Sequence, residues 1–133
     1  MVMGMVRQYR FQDADPLRGA QTKTRQIAGD SFAEKIVIPE DGKRLTVTGY
    51  FVSTNSTAGT IYIYLADKNV ATPTDDPNYK EVCVFSPERL GQVTAGAVGF
   101  NDEGLTDQAV WAVGSGLDVA SLTFFKVVYR EVY

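Results

Sequence analysis

The strongest constraint in this chain is a period of two. Leu45, Val47, Gly49 and Phe51 alternate with Thr46, Thr48, Tyr50 and Val52. Ile61, Ile63 and Leu65 alternate with Thr60, Tyr62, Tyr64 and Ala66. Successive side chains of a strand point to opposite faces, so this alternation predicts two half-buried strands. Their β-branched and aromatic residues suit a pleated, half-buried surface. Between them lies Ser53-Thr54-Asn55-Ser56-Thr57-Ala58-Gly59, a polar stretch that predicts a turn joining the two as a hairpin.

Other segments read as strands too. They are Met5 to Phe11, Phe32 to Ile38, Tyr79 to Phe85, the glycine-interrupted Val93 to Phe100, Gln108 to Val113, and Val119 to Tyr133. The last is long enough to need a bulge or a bend. Pro39-Glu40-Asp41-Gly42 closes one strand with a preset φ and a residue free to take positive φ. Ser86-Pro87-Glu88-Arg89-Leu90-Gly91 has the capping residues of a single helical turn. Residues 12–31 lack a clear period and read as a long arm or loop. About eight short, regularly spaced strands predict an all-β antiparallel sandwich or barrel. The lone cysteine lacks the Cys–Trp–Cys spacing of antibody domains, and no repeat of 20 to 50 residues is visible. The expected fold is a jelly-roll-like β-sandwich, with 1–133 as one domain. A chain of 133 residues can bury about two-thirds of its unfolded surface without a staple.

Composition narrows the chemistry. There is no histidine, hence no imidazole base, ligand or pH switch, and one cysteine cannot form an intrachain disulfide. Thirteen basic against sixteen acidic residues leave a net charge of −3, which offers no general field for nucleic acid. Arg18, Lys23 and Arg25 form one basic stretch, read as a solvated loop, with contact to a small anion as the alternative. No apolar run has the length of a membrane span or a secretory core, and Asn55-Ser56-Thr57 reads as a polar turn rather than a glycosylation acceptor.

Candidate reactive groups are therefore carboxylates, and most sit in turn-like segments where aspartate bonds its own backbone. Glu34 shares a strand face with Phe32 and Ile36, so it sits at a bulge, pairs with a cation, or lies on a half-exposed edge. Asp75, Asp76 and Asp102 are oxygen donors that calcium could use, but none lies in an EF-hand spacing. Cys83 lies in an apolar strand with no histidine to activate it and reads as a core filler. There is no G-x-S-x-G elbow and no phosphate-binding glycine loop. The expectation is a non-enzymatic protein with no catalytic residue, metal or cofactor.

Surface contact is the remaining mode of action. Strict alternation turns Tyr50, Tyr62 and Tyr64 outward, as a patch fit for protein contact or for stacking on sugars. In the final strand Leu122, Phe124 and Val128 share one face, while Phe125, Val127 and Tyr129 share the other. A strand apolar on both faces is covered on both sides. One cover is the core, and the other is a second subunit or the N-terminal arm. Phe124, Phe125, Val127 and Tyr129 are thus the candidate oligomer contacts.

The arm before Phe32, the run IVIPEDGKRLTVTGYFVS at 36–53 and the apolar final strand together resemble small bacteriophage virion proteins, of the head-decoration or fibre and tail accessory type. The resemblance implies a homo-oligomer, often a trimer, that docks on other virion proteins; the charge and the lack of a long apolar run point to no nucleic-acid and no membrane partner. The resemblance also implies location in the virion. The rival reading is a carbohydrate-binding module, using Tyr50, Tyr62, Tyr64 or Trp111 on a glycan.

Overall fold

A computed structural model describes residues 19–87 and 93–133. The strands are β1 (Gln21–Ala28), β2 (Phe32–Val37), β3 (Arg44–Thr54), β4 (Thr60–Asp67), β5 (Lys80–Phe85), β6 (Val93–Glu103), β7 (Gln108–Ser115) and β8 (Leu122–Val132). Helical structure among the described residues is the 3-10 turn Pro73–Asp75, with Pro87 also in 3-10 conformation. The expected strand Met5 to Phe11 and most of the turn at Ser86 to Gly91 lie outside the described residues.

Two four-stranded antiparallel sheets form, ordered β1-β8-β3-β6 and β2-β7-β4-β5. The pairs β1·β8, β2·β7, β3·β6 and β4·β5 are nested, as if one long two-stranded ribbon had been rolled up. The result is a jelly-roll-like β-sandwich. Ile61, Ile63 and Leu65 of β4 are fully buried and face Leu45, Val47, Val52, Phe125 and Val127 across the core. Phe32 closes one end, with its ring edge-on to Phe125 at 5.9 Å.

Three sequence expectations are corrected. First, β3 and β4 do not form a hairpin: β3 lies between β8 and β6, and β4 between β7 and β5. The polar stretch at 53–59 carries the chain from one sheet to the other. Ser56 bonds within the stretch, to Thr54 and Ala58, and the stretch also binds the segment 118–122. Asn55 Oδ1 accepts from the Leu122 N–H at 2.9 Å, Ser56 Oγ accepts from Asp118 N–H at 3.0 Å, and Asp118 Oδ2 accepts from the Thr57 N–H at 2.7 Å. Gly59, at φ 89°, lies so close to that loop that a Cβ would sit 2.5 Å from the Ser115 carbonyl oxygen.

Second, the segment 12–31 is not all arm or loop, because Gln21–Ala28 is the edge strand β1. Only Ile27 in it is buried, so the strand has no apolar period to read. Third, the alternation in β3 is broken. A register shift between Val47 and Gly49 marks a β-bulge at Thr48 against β8, while against β6 the extra residues lie on β6 itself, between Val98 and Asp102. One extra residue reverses the faces beyond it. Tyr50 therefore packs against the core, with its ring edge-on to Phe100 at 5.9 Å, and Phe51 points outward.

Candidate interaction surface

The outward side chains of the first sheet form an apolar patch. Beyond the bulge, β3 presents Phe51, β8 presents Leu122 and Phe124, and β6 presents Val98. These side chains are 37%, 45%, 43% and 56% exposed. Register brings them together: Phe51 stands beside Lys126 and Gly96, Ser53 beside Phe124, and Gly49 beside Val98. Lys126 brings charge to this patch, and its ammonium lies 5.5 Å from the centre of the Phe51 ring. Gly96 leaves room for that ring, which a Cβ there would strike.

The predicted contact residues divide between the two faces of β8. Phe124 is on the patch. Phe125 and Val127 are fully buried between the sheets and are core residues, unable to meet a second subunit. Tyr129 is half-buried against the core, and its hydroxyl donates to Gln21 Oε1 at 3.2 Å. Burial pushes its phenol pKa up, with the Glu131 charge adding to the effect.

The three predicted tyrosines are not brought together. Tyr50 belongs to the first sheet and packs inward. Tyr62 and Tyr64 stand on the outer face of the second sheet, stacked at 5.4 Å with their planes 10° apart. Tyr79 meets Tyr64 edge-on at 5.5 Å. Tyr64 and Trp111 are buried there in a second small apolar cluster, with Tyr62, Val70 and Val113 against it. The Trp111 indole N–H donates to the Ala66 carbonyl at 3.2 Å, and Lys35 lies over its ring. Sequence reasoning missed Phe51, Val98 and Tyr79. The available signal for Phe51 is Gly49, since a glycine inside a strand marks a bulge.

The acids are engaged in structural bonds. Asp75 Oδ2 accepts from the Thr72 hydroxyl at 2.8 Å. Asp76 is buried and accepts from the backbone N–H groups of Asp67 and Asn78 and from Gln108 Nε2, at 2.8 to 3.0 Å. Lys68 ties Asp41 and Asp107 together and donates to the Pro39 carbonyl. Glu34 pairs with Arg25 at 2.9 Å, joining β2 to β1, and Asp102 pairs with Lys80 at 2.9 Å, joining β6 to β5. Among the described residues no three of His, Cys, Asp and Glu gather where a metal ion could bind. Burial pushes the Cys83 thiol up to about 12. A thiol held that high is a poor nucleophile.

Two adjoining clefts run along the β1–β2 seam, of about 400 Å³ and 280 Å³. Both are lined by Arg25, Lys35 and Ile38, with Trp111 in the first and Lys23 and Tyr129 in the second. Part of the predicted basic stretch thus lines a groove on a strand edge.

The fold defines the chain as an antiparallel β-sandwich of jelly-roll-like order, and it is similar to chains of known structure. One belongs to the acidic stable capsid structure of the Helicobacter pylori bacteriophage KHP30, with TM-score 0.50, 11% identity, and coverage of 86% of this chain and 93% of that one. Another comes from Bacillus endospore appendages, which form disulfide-linked pili, with TM-score 0.45, 10% identity, and coverage of 86% and 88%. A third comes from the capsid asymmetric unit of cyanophage Pam1, with TM-score 0.38, 13% identity, and coverage of 83% and 81%. No protein-family model and no curated protein matches the sequence. The likeness to bacteriophage virion β-sandwich proteins is therefore one of fold. No described helix is long and apolar enough to cross a membrane.

Proposed function

We propose that the protein is a non-enzymatic structural component of a bacteriophage virion, a capsid-decoration or fibre and tail accessory protein. It acts through contacts with other virion proteins. The observation that carries this reading is the apolar patch of Phe51, Val98, Leu122 and Phe124 on the outer face of a stiff sheet. Covering the exposed half of each such side chain contributes about 1 kcal/mol. Four together make a contact that a repeating lattice multiplies. The engaged acids and the unreactive thiol fit a protein that works by touch.

Antibodies raised against the purified chain test this on phage particles banded from a host carrying the gene. The chain is expected to co-migrate with the particles. Its recovery only from the soluble lysate would overturn the reading. A second reading, glycan binding, rests on the stacked Tyr62 and Tyr64 with Tyr79 beside them. Specific binding on a glycan array, lost in Tyr62→Ala and Tyr79→Ala, would favour it.

A further inference from the structure

The two flanks of the sandwich carry opposite charge. One flank is made by the edge strands β1 and β2, and the other by the edge strands β6 and β5. On β1 and β2 stand three cations, Lys23, Arg25 and Lys35, and one acid, Glu34. On β6 and β5 stand three acids, Glu81, Asp102 and Glu103, and one cation, Lys80. Each flank is laced by one internal ion pair, Arg25–Glu34 and Lys80–Asp102, both at 2.9 Å. That leaves Lys23 and Lys35 on one flank and Glu81 and Glu103 on the other. Among the described residues none of these four has an ion-pair partner.

We infer that the β1–β2 flank of one copy docks against the β6–β5 flank of the next, in a head-to-tail self-association. Charge complementarity selects this occupant. A two-fold pairing of β1 edges would set Lys23 and Arg25 against their own copies, whereas the head-to-tail contact sets cations against acids. Topology agrees. Each sheet has four antiparallel strands, so a copy placed alongside in the same orientation continues the alternation of strand directions. Lys35, Trp111, Tyr64 and Glu81 lie in one row across the second sheet. An in-register neighbour therefore brings Lys35, whose half-buried ammonium donates to the Lys68 carbonyl at 2.9 Å, into the row of Glu81 of the next copy. Contacts of this kind close into rings when the rotation between copies allows. They also cover edges that would otherwise be free to pair non-specifically.

The inference deepens the virion reading, on which its biological meaning rests, but its test needs only the purified chain. Size-exclusion with light scattering is run at about 50 mM and about 500 mM salt, since screening weakens exposed charge pairs. The wild type is expected at a multiple of the 14.6 kDa chain mass in low salt, with the mass falling in high salt. The double variant Lys23→Glu with Arg25→Glu makes both flanks acidic, and Glu81→Lys with Glu103→Lys makes both basic. Each alone is expected at the mass of one chain, and an equal mixture of the two is expected to assemble again. All four positions are exposed. The milder pair Lys23→Gln and Glu103→Gln, expected to lower the assembled fraction, serves if a reversal fails to fold. A wild type that stays at one chain mass in low salt would overturn the inference. So would folded variants that keep the wild-type mass, or a mixture that stays dissociated. None of these results bears on whether the chain is found in particles.

Discussion

Asp76 carries the residue-scale lesson. In the sequence, Asp75-Asp76 reads as a pair of oxygen donors of the sort calcium uses. In the structure Asp76 is 6% exposed and already holds three hydrogen-bond donors, from Asp67, Asn78 and Gln108. Burial pushes its carboxyl pKa up, but the bonds from Gln108, Asn78 and Asp67 outweigh this and leave it below the ordinary value of 3.8. A carboxylate depressed in the folded state stabilises the protein above its unfolded value, and that contribution is lost as pH falls through the folded value. Asp76→Asn is therefore expected to cost about 1.5 to 3 kcal/mol at neutral pH, since an amide nitrogen faces donors and the charge is gone. The gap between wild-type and variant urea midpoints is expected to shrink between about pH 5 and about pH 2. A gap constant across that range would assign the loss to shape and not to charge. Nothing in the spacing of acids distinguishes a free donor pair from one bound to a glutamine 32 positions away.

At the scale of the element, β3 shows how far a period of two can be trusted. The strand is where the alternation predicts it, yet the bulge at Thr48 exchanges the faces of its second half. Deleting Thr48 would turn the bulged strand into a regular one and keep Leu45, Val47, Tyr50 and Val52 on the core face, at the loss of the buried Thr48 side chain, whose hydroxyl donates to the Val128 carbonyl at 3.3 Å. The deletion is expected to cost about 1 to 3 kcal/mol in chemical denaturation, since one buried hydrogen-bonded side chain goes while the faces stay. A wild-type midpoint would show that the bulge is dispensable. The strand β1 fails to show in the sequence for a different reason. It gains its place by pairing with β8, where Gln21 lies opposite Tyr129, and it buries a single side chain. Backbone pairing to a remote strand leaves no mark on the local pattern of apolar residues.

For the whole molecule, the neighbours Phe124 and Phe125 separate stability from contact. Phe125 is fully buried between the sheets, and Phe125→Ala is expected to cost about 3 to 5 kcal/mol. Phe124→Ser combined with Phe51→Ser removes the centre of the exposed patch, and is expected to cost no more than about 1 kcal/mol, as surface substitutions do. The double variant should melt like the wild type but drop out of banded particles. Retention at the wild-type level would move the contact to another surface. What the sequence by itself determined is the all-β class, most of the strands and where they lie, and the lack of imidazole chemistry, because alternation and composition are properties of neighbours along the chain. Only the tertiary structure decided which strands lie side by side, that the expected hairpin is a crossing between sheets, and which phenylalanine reaches the surface. Alternation says that two faces differ without saying which is inside. That choice depends on bulges and on partners as distant as Gln21 and Tyr129, which meet only when the sandwich closes.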